Sequence, residues 1–222
     1  MFNPKSYLFG KELLHFAKIA DKIASENPDI SVFISSPYPD ISLLCENTKN
    51  IIVTAQHLDG INPGRGMGYI LPESIYNAGA RATFLNHAER PLPISELVKA
   101  INRTNELGIV NIVCADSIRE AKAVAILQPD IILCEPTELI GTGKTSNEHY
   151  ITTTNEAIKS INPNTLVMQG AGISMPEHVY NVISIGADGT GCTSGILKAN
   201  NPKLMFEDMV EALVVAKNEA IY

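Results

Sequence analysis

"VNIVCADSIREAKAVAILQPDIILCE", residues 110–135, decides the fold. It opens on an apolar, β-branched run (110–115), passes through a segment with apolar residues three and four apart (117–127), and closes on a second apolar run (130–135). A short run that is apolar throughout fits a strand buried on both faces, whereas the middle segment carries the period of a helix with one buried face. Strand, helix, strand at this spacing is a parallel βα unit, because parallel strands need a long crossover.

The same rhythm runs outward in both directions. "ISVFISS" (30–36), "IIVTAQ" (51–56), "ATFLNH" (82–87), "TLVMQG" (165–170) and "GADGTG" (186–191) complete a set of seven expected strands. Helical patterning fills 94–107, 117–127 and 176–185, and a last helix over 203–221 is expected to cover the final strand. An eighth strand would have to be the N-terminal "MFNPK", followed by a helix over 10–24. The expectation is an α/β fold, a (β/α)8 TIM barrel with a shortened first strand, built as a single domain over 1–222. The competing doubly wound sheet would carry a glycine-rich fingerprint after its first strand, and none is present.

Composition narrows the function classes. With 17 Lys and Arg against 24 Asp and Glu, the net charge of -7 argues against an extended nucleic-acid surface but leaves room for a locally held small anion. Cys45, Cys114, Cys134 and Cys192 are widely spaced, with no C-x-x-C pair and no histidine at ligand spacing, so reduced thiols and no metal are expected. No apolar stretch is long enough to span a bilayer and the N-terminus lacks a signal-peptide layout, which together imply no membrane partner and a cytoplasmic location.

One loop looks made for phosphate. "CEPTELIGTGKTS" (134–146) contains Gly143-Lys144-Thr145, but a nucleotide-binding P-loop needs a glycine where this chain has Glu138. In a barrel the active site lies at the C-terminal strand ends, so the residues closing each run are the ones to inspect. They are Asn3 and Lys5, Gln56 and His57, Asn86 and His87, Glu135, and Gly170-Ala171-Gly172. A base, an electrophile and a cation thus fall at equivalent places of separate units. His15, His149 and His178 lie on helix-like segments and, like the cysteines, read as structural.

These residues carry a resemblance. "NPK", "AQHLD", "GMGYILPE", "NHAER", "EPTELIGTG", "QGAGIS" and "TSGILKA" occur in the order found in triosephosphate isomerases, and the chain resembles the short, archaeal-type branch of that family along nearly its whole length. The resemblance implies an isomerase interconverting dihydroxyacetone phosphate and glyceraldehyde 3-phosphate through an enediolate, in glycolysis and gluconeogenesis. It implies Glu135 as the base, His87 as donor to the developing oxyanion, Lys5 as a fixed cation, and Asn3 positioning the same oxygen. Glu89 makes physical sense if it pairs with Lys5 or exchanges a proton. Ile140, Gly141, Thr142 and Gly143 would form a lid tip whose amides meet phosphate, with Pro136 stiffening a hinge. Gly172 and the Thr193-Ser194-Gly195 turn, at the start of the last helix, would offer further amides. The lid would keep water from the enediolate. No cofactor or metal is implied, the partner is a small phosphorylated sugar, and a homo-oligomer, dimer or tetramer, is expected.

Four positions depart from the family pattern. Ala88 stands for a serine, Pro91 for a second arginine and Met67 for an interface threonine, and only Met1 and Phe2 precede Asn3. Two other readings stay open: an isomerase of another short sugar phosphate, such as a four-carbon ketose phosphate, and a non-catalytic phosphate-binding barrel.

Overall fold

The computed structural model describes residues 1–136, 139 and 146–220. Contacts divide the chain into two compact units, Asn3–Cys114 and Ala115–Tyr222, the latter together with Met1–Phe2.

In the N-terminal unit, helix α1 (Gly10–Glu26) buries Leu13, Phe16, Ala17, Ala20, Ile23 and Ala24, one stripe at three- and four-residue spacing. Strands β1 (Phe33–Ser36), β2 (Ile52–Ala55), β3 (Ala82–Leu85) and β4 (Val110–Ala115) alternate with helices α2 (Ile41–Asn47), α3 (Pro72–Asn77) and α4 (Ile94–Leu107). All four residues of β3 are buried, as expected of a strand covered on both faces. Helix α4 stops at Gly108, whose φ of 67° gives the left-handed C-cap that a residue without Cβ adopts cheaply.

The C-terminal unit continues with α5 (Ile118–Ala125), β5 (Ile131–Cys134), α6 (Glu148–Ile161), β6 (Leu166–Gln169), α7 (Pro176–Ser184), β7 (Gly189–Thr190), α8 (Ser194–Leu197) and α9 (Pro202–Glu219). Ser117 caps α5 by accepting from the Glu120 N–H at 3.2 Å, while the Glu120 carboxylate accepts from the Asp116 N–H at 2.8 Å. The turn at Thr193-Ser194 starts the short helix α8 and not the last helix, because Asn201 caps a new start at Pro202.

The strand order is β1 to β7 without reversal, and the strand pairings are parallel. A doubly wound sheet reverses its order at a switch point, whereas a (β/α) barrel adds each strand beside the last. The fold class is therefore the α/β TIM barrel. The shortened first strand is a single parallel bridge between Phe2 and Cys192, supported by the Cys192 N–H donating to the Met1 carbonyl at 3.1 Å. Phe2 is fully buried, its ring 6.4 Å from that of Phe206 on α9. Among the described residues no helix is long and apolar enough to cross a membrane.

Candidate active site

In the N-terminal unit, Lys5 is held in a conformation that lysine avoids. Its φ is 51°, in the left-handed region, where a residue with a Cβ is strained by about 1–3 kcal/mol unless its surroundings hold it. The surroundings do hold it. The Lys5 N–H donates to Asn3 Oδ1 at 3.0 Å, and its carbonyl accepts from Gln56 Nε2 at 2.7 Å. Asn3 Oδ1 also accepts from the Ser35 hydroxyl at 2.6 Å, which ties residue 3 to the end of β1. At the other end of the side chain, Lys5 Nζ donates to Glu89 Oε1 at 2.5 Å. That bond to the cation holds the Glu89 carboxyl below the usual carboxylate range.

Two residues after the end of β3, the turn 87–90 presents His87 and Glu89. The Arg90 N–H donates to the His87 carbonyl at 2.7 Å, closing the turn, and the Glu89 N–H donates to His87 Nδ1 at 3.1 Å. A ring nitrogen that accepts a hydrogen bond carries no proton, so this bond assigns the proton of the neutral imidazole to Nε2, leaving Nε2–H as a donor. The ring sits edge-on to Phe84, centroids 6.2 Å apart. Asn86, with φ 55°, is pinned in its turn by donating to the Cys114 carbonyl at 3.1 Å and accepting from the Leu92 N–H at 2.9 Å. Asn3, Lys5, Gln56, His87, Glu89 and Arg90 line a cavity of about 260 Å³.

In the C-terminal unit, Glu135 follows β5 directly, and its N–H donates to the Ala115 carbonyl at 2.9 Å. Its carboxylate lies over Gly170. A Cβ added to Gly170 would stand 3.3 Å from Glu135 Oε1, so glycine at the end of β6 leaves the carboxylate its space. Ala171 and Gly172 follow with φ of 59° and 71°. Gly195 permits a second close approach: a Cβ there would lie 2.5 Å from the Ser174 Cα and 2.9 Å from the Ile173 carbonyl. The loop after β6 and the Thr193-Ser194 turn, read separately in the sequence, are thus packed against each other. Ile140, Gly141, Thr142 and Gly143 lie outside the described residues.

The remaining candidates fall away from the chemistry. Burial pushes the Cys134 thiol up to about 12 and the Cys192 thiol up to about 11, where thiolate is scarce at neutral pH. His178 accepts from the Ser174 N–H at 3.3 Å at the start of α7. Among the described residues no group of His, Cys, Asp or Glu side chains is arranged to hold a metal ion. Sequence reasoning passed over Ser35 and named Gln56 and Gly170 only as strand-end residues without a role; the place of Ser35 at a strand end was the signal.

Parallel strands in chain order with helices between them define a (β/α)-barrel protein. Residues 1–213 match the family model described as "Triosephosphate isomerase". The chain is 38% identical over 216 residues to the triosephosphate isomerase of Methanocaldococcus jannaschii, covering 95% of this chain and 98% of that one. It is 36% identical over 218 residues to that of Methanobacterium bryantii, covering 96% of each, and 35% identical over 214 residues to that of Sulfurisphaera tokodaii, covering 95% and 93%. The chain belongs to the triosephosphate isomerase family, whose reaction interconverts dihydroxyacetone phosphate and glyceraldehyde 3-phosphate.

Proposed function

We propose that this chain carries out that interconversion with Glu135 as the base, His87 as the electrophile and Lys5 as the fixed cation. Glu135 removes the proton from the carbon beside the carbonyl and returns it to the neighbouring carbon. His87 donates from Nε2–H to the oxygen that becomes negative, and Lys5 stabilises both the phosphate and the enediolate charge. The observation that carries this reading is the bond from the Glu89 N–H to His87 Nδ1, because it supports a neutral ring whose remaining proton is at Nε2. An imidazole held neutral can donate to an oxyanion without the cost of a second buried cation beside Lys5.

Asn3 and Glu89 act through Lys5: one accepts from its N–H, the other from its ammonium. Gly172, Thr193 and Ser194, with the lid residues Ile140, Gly141, Thr142 and Gly143, supply backbone amides for the phosphate, a role that short or absent side chains favour. The steps move one carbon-bound proton by way of Glu135 and one hydroxyl proton between the two substrate oxygens beside His87, with no net change of oxidation state, so no metal or organic cofactor takes part. The enzyme works as one catalytic domain in the cytoplasm. It works as a homo-oligomer: Met67 is fully exposed and Tyr69 is 59% exposed on the long loop after β2, and apolar side chains presented this way fit a second copy of the chain.

A coupled assay with three-carbon and four-carbon sugar phosphates, on the wild type and Glu135→Gln, tests the reading. Turnover of the triose phosphates that falls about 10²- to 10⁴-fold in the variant is expected. Faster turnover of the four-carbon phosphates, or a variant as fast as the wild type, contradicts it.

A further inference from the structure

Two of the side chains that hold Lys5, Gln56 and Glu89, come from separate elements, and a single carboxylate holds the neighbour of each. Gln56, which donates to the Lys5 carbonyl, is followed by His57, whose Nε2 lies 3.1 Å from Asp59 Oδ1. Glu89, which accepts from the Lys5 ammonium, is followed by Arg90, whose guanidinium lies 3.8 Å from the same Asp59 oxygen. The other Asp59 oxygen accepts from the Ile70 N–H at 2.6 Å, and the Asp59 N–H donates to the Ile70 carbonyl at 2.9 Å. Asp59 therefore stands at the base of the long loop after β2 with both carboxylate oxygens in use, its side chain only 14% exposed.

We propose that Asp59 is a positioning residue for Lys5, acting through His57 on one side and Arg90 on the other. The proposal rests on the assignment of Lys5 to the substrate's charge. The His57 ring is 2% exposed, and its Nδ1 is buried without a hydrogen-bond partner. Its bond to Asp59 is thus what fixes the rotation of the ring. Burial holds the His57 pKa below its ordinary value, which keeps the ring neutral and leaves Nε2–H to donate to the carboxylate. Arg90 is more exposed, and at 3.8 Å its attraction to Asp59 is the softer arm. The two arms converge on one lysine whose backbone is strained, and strained residues persist only where several contacts over-determine them. A further consequence is that the long loop is fastened to the catalytic lysine through the same carboxylate, so whatever engages the loop bears on Lys5.

A double-mutant cycle tests this: triose phosphate kinetics on Asp59→Asn, Lys5→Met and the pair, with thermal melts to establish folding. Asp59→Asn keeps the shape of the side chain but turns one of its two acceptor oxygens into a donor NH₂ and carries no charge. The expected result is a fall in kcat/KM of roughly tenfold to a hundredfold for Asp59→Asn, from displacement of the lysine. In the Lys5→Met background the same substitution is expected to cost less than about twofold, since coupled residues do not add. Equal losses in both backgrounds would overturn the proposal, as a merely structural role predicts them. Wild-type kcat/KM in folded Asp59→Asn would overturn it too. If Lys5→Met itself keeps the wild-type rate, the assignment of Lys5 has failed, and the proposal with it. If Asp59→Asn does not fold, Arg90→Gln carries the cycle, because its side chain is 58% exposed and tolerates change. A smaller loss that vanishes with Lys5→Met is then expected, and no loss at all overturns the proposal.

Discussion

The N-terminal and C-terminal units hold their chemical groups by opposite means. Around Lys5 and His87 the holding is done by side chains: Asn3, Gln56 and Glu89 each bond a different atom of Lys5, and the Glu89 backbone orients the histidine. Around Glu135 it is done by the absence of side chains, with Gly170 leaving space for the carboxylate and Gly195 letting two loops meet. The contrast follows from the tasks proposed. A cation and a hydrogen-bond donor must stand still against developing charge, since preorganised dipoles stabilise a transition state without reorganising. A base must travel between two adjacent carbons, and open space beside it allows that. The N-terminal half should therefore fail when a bond is removed, and the C-terminal half when an atom is added.

Removing the donor sharpens the contrast most. His87→Ala is expected to lower kcat by about 10²- to 10³-fold with little change in melting temperature, measured by steady-state kinetics on triose phosphate. Adding an atom comes next: Gly170→Ala places a Cβ 3.3 Å from Glu135 Oε1 and 3.2 Å from Leu133 Cδ1, so the carboxylate or the leucine must give way. A fall in kcat of roughly tenfold is expected, with KM nearly unchanged, because the base is misplaced while the phosphate grip stays. If KM rises and kcat holds, Gly170 serves binding and the contrast breaks. Gln56→Leu unpins the Lys5 carbonyl, and an unmet buried acceptor costs about 1–3 kcal/mol. The melting temperature is expected to drop by about 2–4 °C per kcal/mol, with KM rising several-fold as the lysine loosens.

The smallest effect is the pH dependence that His57 adds in the N-terminal unit. The folded pKa of His57 lies below its unfolded value of about 6.5, because burial disfavours the charged ring. The stability tied to keeping it neutral is present in full above that unfolded value and is lost as pH falls through the folded one. Glu89, also lowered, adds a second loss at more acidic pH, reduced by its exposure to solvent. Thermal melts from pH 8 to pH 5 are expected to show a slope below about 6.5 that is shallower in His57→Leu than in the wild type. Equal slopes would remove His57 from the account.

Much of the fold was legible because its strands are buried on both faces. Runs such as 82–87 and 130–135 are mostly apolar between polar ends, and β3 and β5 form inside them with every residue buried. Helix α4 follows its apolar period over Ile94–Leu107. The short helices α2, α3 and α8, at four to seven residues, are less than two turns long and cannot show a period. The last helix, expected from 203, begins at Pro202, but the turn at 193–195 that was read as its start belongs to the separate α8, which at four residues is too short to show a period. For the site, strand ends named the chemical groups, but not who holds whom. The bond between Lys5 and Glu89 joins residues 84 positions apart, and Asp59 reaches Arg90 across the 31 positions from 59 to 90. No local pattern encodes such pairs. They exist only once parallel strands bring their ends to one edge.

The most direct measurement is proton NMR of dihydroxyacetone phosphate in D₂O with wild-type protein and with Glu135→Gln. The wild type should exchange a carbon-bound proton of the substrate for deuterium while forming the aldehyde, and the variant should do so at least about a hundredfold more slowly. Deuterium entering at the wild-type rate in the variant would show that another group moves the proton.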